Sequence, residues 1–130
     1  MQRYRILLVD DEIELLKPYV IFLEEKGFNV ITFTNPYSLL ENIEVNQKID
    51  IILLDENMPG LNGIEVLNKI KKINPLIPVI MITKNEAEDI MDDAIGNKIS
   101  DYLIKPLNPN QIFISIKRIL DNKKIISQKT

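Results

Sequence analysis

Short runs of apolar residues recur along the chain and predict β-strands. Continuous apolar runs are typical of strands that are buried on both faces of a sheet. They lie at residues 6–9, 51–54, 79–82 and 102–104. A fifth strand is predicted at residues 28–33, where the alternation of apolar and polar positions is typical of a strand near a sheet edge.

Between these strands, apolar residues three or four positions apart predict helices. The first helix is expected to be capped by Asp11 or a neighbour, and to end at Gly27 in a left-handed conformation. Asparagine followed by proline predicts two further helix starts, at residues 35–36 and 108–109. The asparagine side chain caps the helix, and proline is favoured at its first position.

Two more helices complete the alternation of strands and helices. One is expected from about Gly63, and the other over the acidic, weakly amphipathic residues 86–96. The helix after Asp11 is expected to bury Leu16, Val20 and Leu23. The helix from Gly63 is expected to bury Ile64, Leu67 and Ile70. The last helix, from residues 108–109, is expected to bury Ile112, Ile116 and Ile119 or Leu120.

Alternating strands and helices of this length form βαβ units, which build a parallel sheet with helices on both faces. We therefore expect an α/β fold with a single doubly wound, five-stranded parallel sheet in the flavodoxin-like order 2-1-3-4-5. Residues 1–121 are expected to form this domain. Residues 122–130 are expected to extend the last helix or to begin a linker.

The composition excludes several kinds of chemistry. The chain has 130 residues, no Cys and no His, so disulfides, thiolate nucleophiles, imidazole bases and His-ligated zinc are absent. A net charge of −3 favours neither nucleic acid nor anionic membrane as a direct partner. No apolar run approaches the roughly 18 residues of a membrane span. With no Cys to require an oxidising compartment, we expect a cytoplasmic location.

Polar side chains follow four of the predicted strands. Asp10 and Asp11 follow the first strand, Asp55 follows the central one, and Thr83 and Lys105 follow the last two. Because the carboxyl ends of parallel strands meet at one edge of the sheet, we expect these groups to converge there. Crowded carboxylates repel one another, and a hard cation relieves that repulsion.

These groups suit the handling of a phosphoryl group with Mg²⁺. The backbone carbonyl of Asn57 offers one more oxygen ligand, so Mg²⁺ is the expected cofactor. Asp55 is a nucleophile that needs no base, because it is ionised at neutral pH. Lys105 supplies an ammonium group and Thr83 a hydroxyl donor for phosphoryl oxygens.

The same residues resemble those of response-regulator receiver domains, the CheY-like fold of two-component signalling. The matching segments occur in the family's order over nearly the whole chain. They are Val9-Asp10-Asp11-Glu12, Leu54-Asp55 with Met58-Pro59-Gly60 and Gly63, Ile82-Thr83, and Asp101-Tyr102-Leu103-Ile104-Lys105-Pro106. The resemblance implies a signalling phosphoacceptor domain that takes part in its own phosphorylation and dephosphorylation, and not a conventional enzyme.

The resemblance implies how the acidic residues act. Asp55 accepts a phosphoryl group from the phosphohistidine of a partner sensor kinase or phosphotransfer protein. Asp11, Asp55 and the carbonyl oxygen of Asn57 ligate Mg²⁺ directly, and Asp10 acts through water. Taken singly, Asp10 and Asp11 also fit a helix cap followed by a solvated acid.

The resemblance also implies how the output surface is switched. Thr83 and Lys105 bind the phosphoryl oxygens, and Tyr102 is the aromatic switch. A strand tyrosine is more often a partly buried packing residue, so this alternative stays open for Tyr102. Because Lys105 must point back to Asp55 while the chain turns away at Pro106, we expect a cis peptide between Lys105 and Pro106.

Departures from the common pattern indicate a narrower resemblance. Lys84 stands after Thr83 where receivers usually carry a small residue, and residues 98–99 are Lys-Ile where Gly-Ala is common. Together with residues 55–60, 81–84 and 105–112, they are similar to PorX-type receivers. In those regulators the receiver is fused to a domain of the alkaline-phosphatase superfamily and is associated with type IX secretion. This implies a C-terminal effector outside the chain. A homodimer formed on phosphorylation is a further expected partner.

Three other functions fit parts of the pattern. A phosphatase of the haloacid-dehalogenase type also uses a strand-end aspartate and Mg²⁺, but it needs a second acid where Asn57 stands. A flavodoxin-like FMN binder needs a Ser/Thr/Gly phosphate loop where the acidic residues 10–12 stand. A receiver-shaped interaction module that is never phosphorylated stays open, although the complete set of pocket residues argues against it.

Overall fold

The computed structural model describes residues 3–45, 48–56, 58, 62–84 and 98–129. Within them the chain forms five strands and four helices. The strands are β1 (Arg5–Val9), β2 (Asn29–Phe33), β3 (Ile51–Asp55), β4 (Val79–Thr83) and β5 (Asp101–Ile104). The helices are α1 (Ile13–Glu25), α2 (Pro36–Val45), α3 (Gly63–Ile73) and α4 (Pro109–Lys129). The helix expected over residues 86–96 lies outside the described residues.

All five strands are parallel and lie in the order β2-β1-β3-β4-β5. The predicted fold class and strand order are confirmed. The central strand β3 is buried at each of its positions, whereas β2 is partly exposed at the sheet edge. β1 and β3 are direct neighbours with Val9 beside Leu54, so Asp10 and Asp55 come next on adjacent strands.

Two apolar clusters cover the two faces of the sheet. Successive side chains of a strand point to opposite faces, so each strand contributes to both clusters. In β1, Leu7 and Val9 pack with residues of α2 and α3, while Ile6 and Leu8 pack with residues of α1 and α4. Each fully buried aliphatic side chain contributes about 1.5–3 kcal/mol. These clusters hold the strand ends in fixed positions.

The buried stripes of the helices follow the predictions in part. In α1, Leu16 and Leu23 are buried and Val20 is half-buried. The stripe of α4 is buried at all its predicted positions. In α3, Ile64 is only half-buried and Val66 is buried instead, together with Gly63, Leu67 and Ile70. This set keeps the spacing of one helix face, but the face is rotated so that Gly63 begins it. At the start of this face, Gly63 lies close to the preceding turn.

Asparagine side chains cap three of the helices. Asn35 and Asn108 each accept a hydrogen bond from the amide two residues later, at 2.7 and 2.9 Å, at the two predicted starts. At the start of α3, Asn62 accepts from the amide of Glu65 at 2.9 Å and donates to the Glu65 carboxylate at 3.0 Å. The first of these bonds satisfies the Glu65 amide, which the first turn leaves without a helical partner, and the second joins the two side chains.

The ends of α1 match the expectation only in part. Asp11 is exposed, and Glu12, the residue before the helix, makes no side-chain cap bond. The neighbouring Asp10 instead accepts a hydrogen bond from the Glu12 amide at 2.8 Å, because its carboxylate turns back over the loop. Gly27 has a φ of +96°, so the predicted left-handed ending is confirmed.

The last strand and the last helix are joined through Asp101. One oxygen of its carboxylate accepts hydrogen bonds from the hydroxyl of Ser115, at 2.6 Å, and from the guanidinium of Arg118. Ser115 is buried. These bonds attach the start of β5 to α4, which continues to Lys129. A boundary between residues 1–121 and 122–130 stays a prediction. Across the described residues, no helix is both long and apolar enough to cross a bilayer.

Gly63 begins α3 where the helix touches the turn after β3. Its amide donates to the carbonyl of Glu56 at 3.0 Å, and a Cβ added to Gly63 would lie 2.6 Å from the Glu56 Cα. The clash is with backbone, so rotating a side chain does not relieve it. Glycine is therefore required because no larger side chain fits here, and not because of its φ angle.

We expect Gly63→Ala to lower the free energy of unfolding by about 1–3 kcal/mol, the usual cost of an extra methyl in a packed site. Alanine's better helix propensity offsets at most about 1 kcal/mol of this. Urea unfolding followed by circular dichroism measures the change. Lys69→Ala, at an exposed position of the same helix, is the control and should change stability by less than about 0.5 kcal/mol. An unchanged midpoint for Gly63→Ala would contradict the tight contact.

Candidate functional site

Three carboxylates meet at the carboxyl edge of the sheet, where β1 and β3 are neighbours. Asp10 and Asp55 are buried, with exposed fractions of 0% and 1%, and Asp11 is exposed beside them. One carboxylate oxygen from each residue lies within 4.8 Å of the other two. The structure thus brings together the three acidic residues that the sequence singles out.

Asp10 is fixed by its backbone and by both of its carboxylate oxygens. Its amide continues the sheet by donating to the carbonyl of Phe33 at 3.0 Å. Oδ1 accepts from the Glu12 amide at 2.8 Å, and Oδ2 lies 3.3 Å from the ammonium of Lys105. Asp10 therefore has a single orientation into the site and also holds the start of α1.

Lys105 reaches the carboxylates from β5. Its amide donates to the carbonyl of Thr83 at 2.7 Å, and its peptide bond to Pro106 is cis, which confirms the prediction. Its Nζ lies 3.3 Å from Asp10 Oδ2 and 3.6 Å from Asp55 Oδ1. The Lys105 side chain is 17% exposed, so these ion pairs are largely shielded from solvent.

Opposing effects act on the pKa of Lys105. Burial favours the neutral amine and lowers the pKa, whereas the charges of Asp55 and Asp10 raise it. The carboxylates prevail, so the pKa of Lys105 is raised above its ordinary value. Lys105 is therefore an ammonium ion at neutral pH. A raised pKa adds stability below the unfolded-state pKa, and this stability is lost as the pH rises through the folded-state pKa.

Thr83 is buried at the end of β4, and its hydroxyl donates a hydrogen bond to the carboxylate of Glu56 at 2.5 Å. Glu56 is not among the site residues predicted from the sequence. The pairing of β3 with β4 explains its position. Asp55 lies beside Ile82, so the residues that follow them, Glu56 and Thr83, also lie side by side.

Two predicted site residues remain, Asn57 and Tyr102. Asn57 lies outside the described residues. Tyr102 is half-buried, lies beside Met81 in the sheet and packs against the apolar cluster of α2 and α3. These contacts fit a packing residue, and they leave the predicted role of Tyr102 as a switch untested.

The acidic group has the chemistry of a site for a hard divalent cation. Asp10, Asp11 and Asp55 supply carboxylate oxygens, which Mg²⁺ and Ca²⁺ prefer. Because one oxygen from each lies within 4.8 Å of the other two, all three carboxylates can face a single ion, directly or through a bound water. Three carboxylates and the ammonium of Lys105 leave a formal charge of −2, which one divalent cation balances. The residues present therefore fit Mg²⁺.

A groove of about 150 Å³ opens next to the carboxylates, between the start of α1 and the segment after β5. Asp10 and Lys105 form one end of it, and Leu15, which is 68% exposed, lies along it. The Tyr19 hydroxyl donates to the carbonyl of Leu107 at 2.8 Å, and this bond joins the two walls. The site is thus accessible from a surface that combines apolar and charged groups.

Comparisons with known proteins agree with this arrangement. Residues 6–117 match the response regulator receiver domain family. The transcriptional regulatory protein CpxR homolog of Haemophilus influenzae is 41% identical over 118 residues, which cover 89% of this chain and 50% of that protein. The chain spans about half the length, or less, of the curated relatives it matches.

Solved structures show the same fold. The response regulator receiver domain protein from Clostridium thermocellum superposes with a TM-score of 0.85 at 31% identity, covering 95% of this chain and 98% of that one. The BeF3-activated DrrB receiver domain superposes with a TM-score of 0.78 at 27% identity, covering 92% and 99%. Since the family match extends over most of the chain, this protein belongs to the response regulator receiver domains of two-component systems.

Proposed function

We propose that Asp55 accepts a phosphoryl group from the phosphohistidine of a partner sensor kinase or phosphotransfer protein, and that Mg²⁺ is required. The observation that carries the proposal is the surroundings of Asp55. It is a buried carboxylate at a strand end, with oxygens of Asp10 and Asp11 within 4.8 Å and the ammonium of Lys105 at 3.6 Å. Such a nucleophile needs no general base.

The transfer follows from these positions. A carboxylate oxygen of Asp55 attacks phosphorus, an O–P bond forms, and the N–P bond of the phosphohistidine breaks with its electron pair leaving on nitrogen. Lys105 neutralises charge on the phosphoryl oxygens, and Thr83 donates a hydrogen bond to one of them. Mg²⁺, when bound, supplies positive charge to the same oxygens.

We propose Asp10, Asp11 and Asp55 as the residues that hold Mg²⁺, with Asp10 acting through water. The carbonyl oxygen of Asn57 is a proposed fourth ligand on the basis of the sequence alone. The distances among the three carboxylates and the −2 charge of the site support this set. The same residues take part when the phosphoryl group is lost to water, so the domain shares in its own dephosphorylation.

We propose that the kinase or phosphotransfer protein docks on the groove beside Asp10 and Lys105. The exposed Leu15 supports this, because it offers apolar surface next to the reacting carboxylate. A C-terminal effector outside this chain is proposed because the curated relatives are about twice as long or longer. Its class, including the alkaline-phosphatase-like effector of PorX-type regulators, stays a prediction, as do a homodimer formed on phosphorylation and a cytoplasmic location.

We expect acetyl phosphate with Mg²⁺ to add one phosphoryl group to the wild-type protein, detected by intact-mass spectrometry. Asp55→Asn should carry none, because the amide is not a nucleophile. Asp50→Asn is a matched control, since Asp50 lies at the start of β3 and accepts a hydrogen bond from the Arg5 amide. The same adduct on Asp55→Asn would contradict the assignment, and its absence from the wild type would favour the unphosphorylated interaction module.

We expect Mg²⁺ to raise the melting temperature of the wild-type protein, with a stabilisation of about 2.7 kcal/mol at a concentration 100 times the Kd. Asp11→Asn should lose most of this gain and should be more stable than the wild type in EDTA, because it relieves repulsion within the acidic group. Glu44→Gln, an exposed carboxyl on α2, is the control for loss of charge alone. An equal Mg²⁺ response in Asp11→Asn would contradict the metal assignment.

Tyr102 is tested by labelling the four tyrosines with 3-fluorotyrosine and recording ¹⁹F spectra with and without beryllofluoride and Mg²⁺. If Tyr102 is the switch, its resonance, assigned with Tyr102→Phe, should shift on activation. Tyr37 is 56% exposed on α2 and serves as the control that should not shift. A stationary Tyr102 resonance in a protein that binds beryllofluoride would leave Tyr102 as a packing residue.

A further inference from the structure

The hydroxyl of Thr83 already has an anionic partner in the chain. Its Oγ1 donates to Oε2 of Glu56, the residue that directly follows Asp55. The hydrogen bond lies at the end of two paired strands, because Asp55 is beside Ile82 and the ladder continues from the Glu56 amide to the Ile82 carbonyl at 2.8 Å. Glu56 is therefore placed at Thr83 by the register of the sheet.

The backbone of Glu56 is fixed on both sides. Its amide is bonded to β4, and its carbonyl accepts from the amide of Gly63 at 3.0 Å. The start of α3 touches its Cα so closely that Gly63 has no room for a Cβ. The Glu56 side chain therefore extends from a rigid point, and only its own rotation moves the carboxylate away from Thr83.

A hydroxyl has one proton and donates one hydrogen bond at a time. While Thr83 donates to Glu56, it does not donate to a phosphoryl oxygen on Asp55. Hydrogen bonds to a carboxylate are also stronger than bonds between neutral groups. In addition, the Glu56 carboxylate places negative charge close to the site that receives an anionic group.

We propose that Glu56 is a positioning residue that competes with the phosphoryl group for the hydroxyl of Thr83. The inference rests on the proposed phosphorylation of Asp55 and deepens it. Phosphorylation exchanges one anionic acceptor of Thr83 for another, so the bond to Glu56 must break before Thr83 can bind the phosphoryl group. Glu56 therefore weakens the affinity of the site for a phosphoryl group and sets the position of Thr83 before transfer.

A double-mutant cycle separates this competition from simple charge repulsion. The Kd of beryllofluoride with Mg²⁺ is measured by calorimetry for the wild type, Glu56→Ala, Thr83→Val and the double variant. We expect Glu56→Ala to tighten binding about tenfold, the effect of one charge-assisted hydrogen bond. In the Thr83→Val background, the same substitution should have a clearly smaller effect, because only the charge term remains.

Two control variants support the cycle. Glu56→Gln keeps the size of the side chain but replaces the carboxylate by a weaker acceptor, so it should give an intermediate Kd. Because glutamine leaves no cavity, this variant separates loss of the carboxylate from loss of side-chain volume. Glu44→Ala removes an exposed carboxylate on α2 and should leave the Kd unchanged. Equal effects of Glu56→Ala in both backgrounds would overturn the inference while leaving the proposed function intact. Failure of the wild type to bind beryllofluoride would overturn both.

A second measurement needs neither metal nor phosphoryl analogue. Three-bond couplings to the ¹³C-labelled methyl group of Thr83 report its χ1 rotamer in EDTA. We expect one dominant rotamer in the wild-type protein, favoured by the bond to Glu56, and a measurable shift in the rotamer populations in Glu56→Ala. The same single rotamer in both proteins would show that Glu56 does not position Thr83, and the inference would be wrong.

Discussion

Repulsion among three carboxylates at one strand junction is the constraint on which the rest of the structure depends. Oxygens of the three carboxylates lie within 4.8 Å of one another. At an effective dielectric constant of about 20, two unit charges at that upper limit repel by roughly 3.5 kcal/mol, a large part of the roughly 5–15 kcal/mol stability of a typical domain. Asp10 and Asp55 are buried, so water screens them poorly. The group persists because neighbouring charges and a rigid sheet hold it in place.

Lys105 provides the balancing charge within the described part of the chain, and its position depends on contacts far from the site. Asp101 joins the start of β5 to α4, and Tyr19 bonds to the loop that follows Lys105. These contacts fix both ends of the segment that carries the ammonium. A weakened contact at Asp101 would therefore affect the acidic group without touching it, which relates the packing of α4 to the chemistry of the site.

Much of this architecture was predictable because it depends on local patterns. Continuous apolar runs located the strands, and the crossover rule ordered them, which placed the carboxylates at one edge. The cis peptide before Pro106 was also predictable, since few backbone conformations return Lys105 to the sheet edge. The features that the sequence did not reveal depend on the pairing register of the strands and on close contacts between separate segments of the chain. Val66 is buried in α3 where Ile64 was expected, and Gly63 approaches the backbone of Glu56, a contact between residues seven positions apart.

Glu56 links the two parts of the proposed function, the bound cation and the rearrangement on phosphorylation. Asp10, Asp11, Asp55 and Lys105 together carry a formal −2, and Glu56 adds a fourth carboxylate at the rim. A divalent cation bound as proposed would balance the charge of the inner group. Glu56 forms no ion pair with the residues that the structure describes, and the hydroxyl of Thr83 stabilises its carboxylate instead. In the proposed phosphorylation of Asp55, two anions would compete for this one donor. Because the β4 backbone is fixed by the sheet, the competition is resolved by side-chain rotation at Thr83 and Glu56. The earliest structural response to phosphorylation is then expected at the end of β4, beside Asp55.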